Sequence, residues 1–195
     1  AAFQFAVQHA ERFGGDPQRI ILAGESAGAN LALTLAWLTC TRRREPWAEA
    51  VFAQGIVPRA VIPMCGMLQV SDWQRFARRR PLSKFLEDRL CETAEAYLGA
   101  DASQHGDSAE LADPLLLLER GDPTERPLPP MFAGVGTADP LLDDSRRLGQ
   151  ALARRAVPHE VRYYPGEIHA FHAFVFRQQA RQCWDQQFAF IDRYL

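Results

Sequence analysis

The chain has 195 residues, of which 47% are hydrophobic and 24% charged, and its formal net charge is −2. This composition is ordinary for a globular protein, and the length fits one domain with a sizeable core. The balanced charge gives no reason to expect nucleic acid or an anionic membrane as a partner. No apolar run approaches the ~20 residues that a membrane-spanning helix needs. Nucleic-acid-binding and membrane-spanning proteins are therefore disfavoured.

The four cysteines, Cys40, Cys65, Cys91 and Cys183, lie far apart in the sequence. They form no C-x-x-C pair and have no metal-ligand spacing. Scattered thiols of this kind are more often buried apolar residues in a reducing compartment than a disulfide framework. We therefore expect a cytoplasmic protein without a metal site.

The first part of the chain predicts a helix, a strand and a second helix. Residues 1 to about 13 have apolar side chains at helical spacing, and the turn residues at 14–17 end that helix. Residues 20–23 are continuously apolar, as expected for a buried strand of a parallel sheet. The segment from Ala27 to about Thr41 is apolar nearly all round, which predicts a central helix. Because the chain opens inside a helix without Met, its beginning looks cut.

A serine stands between this strand and the second helix, in Gly24-Glu25-Ser26-Ala27-Gly28. The order strand, G-x-S-x-G, helix is that of a nucleophile elbow, in which a strained turn exposes the serine hydroxyl at the top of the sheet. We expect Gly24 and Gly28 to be required because a Cβ atom at either position would collide with nearby backbone. The alternative is an ordinary βα turn with a serine in the first helical turn.

The second part of the chain contains one strand and then a long interruption. Residues 60–66 are predicted to form a strand, although Pro63 cannot donate to a ladder. Helical patterns at about 72–80 and 83–98, a polar stretch and a Pro-rich approach to residue 130 follow. We interpret residues 1–195 as a single domain with a cap-like insertion at about 70–126. The run at 78–80 (RRR) is interpreted as a solvated face rather than an anion site.

The last part restores the alternation of strands and helices. Residues 131–136 and 159–163 predict the third and fourth strands, with a helix at about 141–155 between them. A final amphipathic helix carries the apolar residues from Phe171 to Ile191. Strands separated by helices imply βαβ units and a parallel sheet, so the predicted fold class is α/β.

Candidates for an acid and a base lie just after the third and fourth strands. Asp139 follows the third strand at the edge where open α/β sheets gather their functional loops, and a carboxylate there can orient a histidine. Its alternative role is a helix cap, and Asp143 and Asp144 in the next helical turn are interpreted as structural. His169 lies nearer the end of the fourth strand than His172, which is expected one turn into the last helix. We therefore favour His169 as the base.

The order Ser26, Asp139, His169 is that of α/β-hydrolases, and several motifs resemble one family of them. These motifs are GGDP at 14–17, GESAGANLA at 24–32, GTADPL at 136–141 and YPGEIHAF at 164–171. Together they resemble the hormone-sensitive-lipase-like esterases (alpha/beta hydrolase fold-3), nearly end to end. The resemblance implies Ser26 as nucleophile, Asp139 as acid and His169 as base. It also implies a mostly parallel sheet with flanking helices and a helical cap insertion.

The chain departs from that family in two respects. Glu25 stands where the family more often has Asp, and this elbow also resembles that of type-B carboxylesterases. The 30-residue step from Asp139 to His169, and an Asp rather than a Glu as the acid, favour the hormone-sensitive-lipase-like family. Members also carry a His-Gly-Gly oxyanion loop and several strands upstream of the elbow, to which nothing here corresponds. The chain therefore resembles the C-terminal two-thirds of such an enzyme. We expect these 195 residues alone to be inactive or very slow, with an unpaired edge on the elbow strand.

The expected reaction is hydrolysis of short- to medium-chain acyl esters through an acyl-enzyme on Ser26, with the backbone N–H of Ala27 as an oxyanion donor. No metal or organic cofactor is expected, and the expected partner is a small-molecule ester. An amidase, deacetylase or formamidase with the same three residues is an open alternative. A non-catalytic small-molecule receptor on the same fold is another, which the presence of His169 disfavours. An exposed terminal strand is one contact through which a homodimer could form.

Overall fold

A four-stranded sheet forms the centre of the computed structural model, which describes residues 1–99 and 109–195. Its strands are β1 (Ile21–Glu25), β2 (Ala60–Met64), β3 (Met131–Gly136) and β4 (His159–Tyr164), and they lie side by side in that order. Every neighbouring pair is parallel. The sequence prediction of four strands in a parallel α/β sheet is therefore confirmed, and β1 lies at an edge of the sheet among the described strands.

Helices connect the strands and cover the sheet. Those of the described residues are α1 (Ala2–His9), α2 (Ala27–Cys40), α3 (Pro46–Phe52), α4 (Arg75–Arg79), α5 (Lys84–Leu98), α6 (Pro114–Arg120), α7 (Leu142–Arg154) and α8 (Gln178–Ile191). A 3-10 turn at Glu11–Phe13 follows α1, so the helix predicted over residues 1–13 is in two pieces. No helix in the described parts of the chain is long and apolar enough to cross a bilayer.

The sheet is buried on both faces, which explains why its strands are so apolar. Val61 and Ala133 point into a cluster with α2, while Ile62 and Phe132 point into a cluster with Phe190 of α8. As its sequence predicts, α2 is central, and ten of its 14 residues are buried.

Pro63 lies inside β2, a strand with neighbours on both sides, and its missing N–H weakens one ladder only. On the β1 side, the register is continuous, with Gly24 opposite Pro63. On the β3 side, Val61 N donates to Pro130 O and Cys65 N donates to Gly134 O, one bond on each side of the proline. The strand therefore tolerates Pro63 by giving up one bond to β3.

The segment before α8 differs from the sequence prediction. The last helix begins at Gln178, whereas Ala170 has φ 57° and residues 171–173 form a separate 3-10 turn. The left-handed residue turns the chain so that Phe171 is fully buried, with its ring centroid 4.6 Å from that of Tyr164. The prediction that His172 lies one turn into the last helix is therefore wrong.

The segment between β2 and β3 carries α4, α5 and α6, where the sequence predicts an insertion at about 70–126. Residues 100–108 of that insertion and of its polar stretch lie outside the described residues. Phe76, Leu90 and Ala94 pack with Met67 and Leu141 in a third apolar cluster. This cluster joins the insertion to the loops that follow β2 and β3. The division into one domain with a cap-like insertion stays a prediction.

Candidate active site

Ser26 lies at a sharp turn between β1 and α2, at the carboxyl end of its strand. Its backbone has φ 55° and ψ −115°, a conformation that residues other than glycine rarely adopt. Ser26 N donates to Met64 O at 3.0 Å, and Ser26 O accepts from Asn30 N and Met67 N at 3.4 Å each. These bonds hold the strained turn from β2, from α2 and from the loop after β2. The turn therefore has the strained backbone expected of a nucleophile elbow, whereas an N-cap serine of an ordinary βα turn has extended backbone.

Only one of the two glycines at this turn is required for steric reasons. A Cβ atom built on Gly24 would lie 2.1 Å from Gly28 O and 2.8 Å from Ala29 N, so the helix could not start where it does. A Cβ atom on Gly28 would meet nothing within 4 Å, apart from the nearby backbone of its own helix. The expected collision is confirmed at Gly24 and is wrong at Gly28. The Cα atom of Gly24 faces the backbone at the start of α2, whereas the Cα atom of Gly28 faces open space.

Asp139 and His169 are brought together by the loops after β3 and β4. Asp139 is 2% exposed, and its carboxylate accepts hydrogen bonds from Leu141 N at 2.8 Å and from His169 Nδ1 at 2.9 Å. The first bond closes an Asx turn, but the N-cap of α7 is Leu141, so the alternative role of Asp139 as the cap of that helix is wrong. The second bond fixes the ring of His169 with Nε2 free to face another group.

The charge of Asp139 alters the titration of His169. Burial by itself lowers the pKa of the imidazole, but the hydrogen bond and charge of Asp139, with a smaller contribution from Glu25, outweigh it. The pKa of His169 is therefore raised above its ordinary value. This is the effect expected of a carboxylate that stabilises the imidazolium form.

Ser26 Oγ makes no hydrogen bond to another of the described residues. The Ser26–His169 contact that general-base chemistry needs is therefore absent from the hydrogen bonds of this structure, although such bonds are often long in unliganded enzymes. Ala27 is the first residue of α2, and its N–H has no partner among the described residues. An N–H in this position is available to an oxyanion.

His172, the alternative base, lies in a different environment from His169. Its side chain is 8% exposed, and Nε2 lies 3.5 Å from Glu25 Oε2. Burial lowers the pKa of His172, the charge of Glu25 opposes this, and the neighbouring His169 lowers it further. The structure thus brings His169, and not His172, to Asp139. The charge of Glu25, the residue before the serine, acts to raise the pKa of both histidines.

Cys65 is a neighbour of Asp139 and His169 that the sequence did not indicate. Its Sγ, a carboxylate oxygen of Asp139 and a ring nitrogen of His169 all lie within 4.8 Å of one another. These are the described residues that could together hold a metal ion. Burial, followed by the charge of Asp139, raises the pKa of the Cys65 thiol, which favours the neutral thiol over the thiolate that binds metals. The sequence signal available for Cys65 was its position near the end of the strand predicted at residues 60–66.

Two cavities near these elements differ in their relation to the candidate site. An apolar groove of about 440 Å³ is bordered by α1, α2, α3 and α5 and is lined by none of Ser26, Asp139 and His169. A smaller cavity of about 170 Å³ is lined by Asp139 and by residues of α4 and α7. The insertion therefore borders the candidate site on the side of Asp139.

A family model described as the alpha/beta hydrolase fold matches residues 1–173, which is most of the chain. The chain belongs to the alpha/beta hydrolase fold-3 family. This agrees with the elbow between β1 and α2 and with the parallel sheet, and it confirms the predicted fold class.

Solved structures of several esterases are similar to this hydrolase-fold chain. An esterase/lipase from an uncultured bacterium has a TM-score of 0.68 and 23% identity, with 100% of this chain and 60% of that chain covered. Esterase B from Lactobacillus rhamnosis has a TM-score of 0.74 and 15% identity, with 99% and 58% covered. An esterase of the bacterial hormone-sensitive lipase family has a TM-score of 0.70 and 23% identity, with 99% and 58% covered. The chain thus spans about 60% of the length of the first of these relatives.

Proposed function

We propose that this hydrolase-family chain carries the catalytic residues of a serine carboxylic-ester hydrolase acting on short- to medium-chain acyl esters. The observation that supports this best is the 2.9 Å bond between Asp139 and His169 Nδ1 at the end of the sheet where Ser26 occupies its strained turn. A serine, an imidazole and a carboxylate in these three strand-end loops are what acyl transfer requires.

In the proposed reaction, Ser26 Oγ attacks the ester carbonyl while His169 Nε2 accepts the hydroxyl proton. The alcohol then leaves with that proton, and an acyl-enzyme remains on Ser26. A water molecule, which loses its proton to His169, releases the carboxylic acid and restores Ser26. Asp139 stabilises the imidazolium in both steps, and the raised pKa of His169 supports this role.

Ala27 N–H is the proposed oxyanion donor on this chain. Oxyanion holes use more than one donor, and loss of one costs about 3 kcal/mol, or roughly 10²–10³ in rate. The family resemblance implies that further donors belong to a Gly-rich loop that these 195 residues do not contain. We therefore expect the 195-residue chain alone to be inactive or very slow.

Covalent labelling tests the proposal without requiring fast turnover. The intact mass of the protein is measured first, because it tells which length of chain is assayed. The protein is then treated with a fluorophosphonate, and the modified residue is identified by mass spectrometry. We expect an adduct on Ser26 in the wild type and in Ser71→Ala, an exposed-serine control, and none in Ser26→Ala. A folded wild-type protein without an adduct on Ser26 would contradict the proposal.

Substrate class is tested with p-nitrophenyl butyrate and its matched anilide. We expect Ser26-dependent release from the ester and at least tenfold less from the amide. Preference for the anilide would replace the proposed esterase by an amidase with the same residues.

A further inference from the structure

Three successive arginines at the end of α4 have three different environments. Arg78 forms an ion pair with Asp72 at 2.5 Å. Arg79 forms an ion pair with Asp143 of α7. Arg80 forms no ion pair or side-chain hydrogen bond with any residue in the described parts of the chain. All three are exposed, as expected of a solvated face, but they differ in their ion-pair partners.

Arg79 and Arg80 line the cavity of about 170 Å³ beside the loop of Asp139, together with Arg146 of α7. We name this space the arginine cavity. Arg146, like Arg80, has no ion-pair partner in residues 1–99 and 109–195. Two exposed guanidinium groups without a counter-ion thus border one cavity.

The acidic residues of the arginine cavity are already engaged. Asp143 pairs with Arg79, and Asp139 accepts from His169 and Leu141 N. The side chain of Asp139 is 0% exposed, so it offers no carboxylate oxygen to a cavity ligand. The cavity therefore has an excess of positive charge that an anion would relieve. Guanidinium groups suit a carboxylate because they can donate two parallel N–H bonds to it.

Apart from Thr137, the rest of the cavity wall is apolar, and it sets the kind of anion that fits. Phe76, Leu82, Pro140 and Leu142 supply this wall. The cavity is small, with a volume of about 170 Å³. That space suits a carboxylate with a short alkyl chain better than a bulky or doubly charged ligand.

We propose that the arginine cavity is a binding site for short-chain carboxylates, with Arg80 and Arg146 holding the carboxylate group and the apolar wall holding the alkyl chain. Such an acid is also what ester hydrolysis releases. Use of the site for retention of product therefore rests on the proposed function, whereas binding itself does not.

Equilibrium binding of butyrate, measured by titration calorimetry with no ester present, tests the site. We expect Arg80→Gln/Arg146→Gln to bind butyrate at least tenfold more weakly than the wild type, because two charge-assisted contacts are lost. The charge-matched control is Arg78→Gln/Arg154→Gln, which changes one arginine of the same run and one exposed arginine of α7 outside the cavity. We expect the control to bind within twofold of the wild type.

Neutral butyramide separates carboxylate recognition from apolar burial. We expect it to bind at least tenfold more weakly than butyrate to the wild type. Equal loss of butyrate binding in the control variant, equal binding of butyrate and butyramide, or wild-type binding by Arg80→Gln/Arg146→Gln would each overturn the proposal. Circular dichroism of every variant establishes that it is folded. Because no ester is present, failure of this test leaves the fluorophosphonate result at Ser26 unaffected.

Discussion

Asp139 and Asp144 are two buried carboxylates on either side of the start of α7, yet their partners differ in kind. Asp139 accepts from His169, a group that titrates near neutral pH. Asp144 is fully buried and accepts from Arg75 at 2.5 and 2.7 Å and from Leu68 N at 2.8 Å. One carboxylate thus faces a proton acceptor, and the other faces a permanent cation and a loop. Burial alone does not distinguish a candidate catalytic carboxylate from a structural one; its partner does.

The hydrogen bonds of Asp144 show which loop it holds in place. Its bonds to Leu68 N and Gln69 N fix the loop after β2, and Met67 N of that loop donates to Ser26 O. Asp144 therefore supports the elbow through two intervening residues. The sequence indicated a structural role for Asp144 from its position in a first helical turn, but the role is larger than an interaction with the helix dipole.

The largest effect is expected from Asp139→Asn, which removes the charge and keeps the shape. We expect kcat/KM for ester hydrolysis to fall by about 10⁴, because the imidazolium loses its stabilising carboxylate. The pKa of His169 is also expected to fall, since the charge that raises it is gone. His169 acts as a base only when neutral, so the acid limb of the pH–rate profile moves to lower pH.

An NMR titration of the His169 ring checks this pKa change without depending on turnover. Asp143→Asn removes a neighbouring carboxylate with no contact to His169 and is the matched control. If the pKa of His169 is the same in Asp139→Asn and in the wild type, the proposed role of Asp139 is wrong.

The next largest effect is expected on stability, from Asp144→Ala. Removing one partner of a buried ion pair leaves the guanidinium of Arg75 uncompensated, which costs about 3–5 kcal/mol of unfolding free energy. Chemical denaturation of Asp144→Ala and of Asp143→Ala, whose ion pair has a 60% exposed arginine, measures the contrast. We expect the second variant to lose less than about 1 kcal/mol. Equal losses would mean that Asp144 acts only through the helix dipole.

The smallest effects concern the elbow glycines, where the contrast is steric rather than electrostatic. Gly24→Ala places a Cβ atom 2.1 Å from Gly28 O, and we expect it to cost at least about 1–3 kcal/mol as the backbone shifts. Gly28→Ala meets no nearby atom, and we expect stability to stay equal or to rise by up to about 1 kcal/mol, since alanine favours a helix. Thermal unfolding of the two variants compares them directly. A large loss of stability in Gly28→Ala would show that glycine is required at both positions.

The parts of the fold and candidate site that the sequence determined by itself are local. The four strands, the central helix α2 and the turn at Ser26 follow from short apolar runs and from glycine at position 24, and these signals lie within a few residues of their effects. The strand-end positions of Asp139 and His169 follow in the same way, because parallel strands bring their carboxyl ends to one edge.

Only the tertiary structure decided which of these side chains meet. The bond from Asp144 to Arg75 joins residues 69 positions apart, and Asn30 reaches Met67 O and Ala112 O across 37 and 82 positions. His172 approaches Glu25 because Ala170 turns left-handed and the last helix starts at Gln178. Arg80 and Arg146 line one cavity, where Arg79 at the end of α4 pairs with Asp143 of α7. Such pairings depend on how elements pack, and packing is set by the whole core and not by any local periodicity.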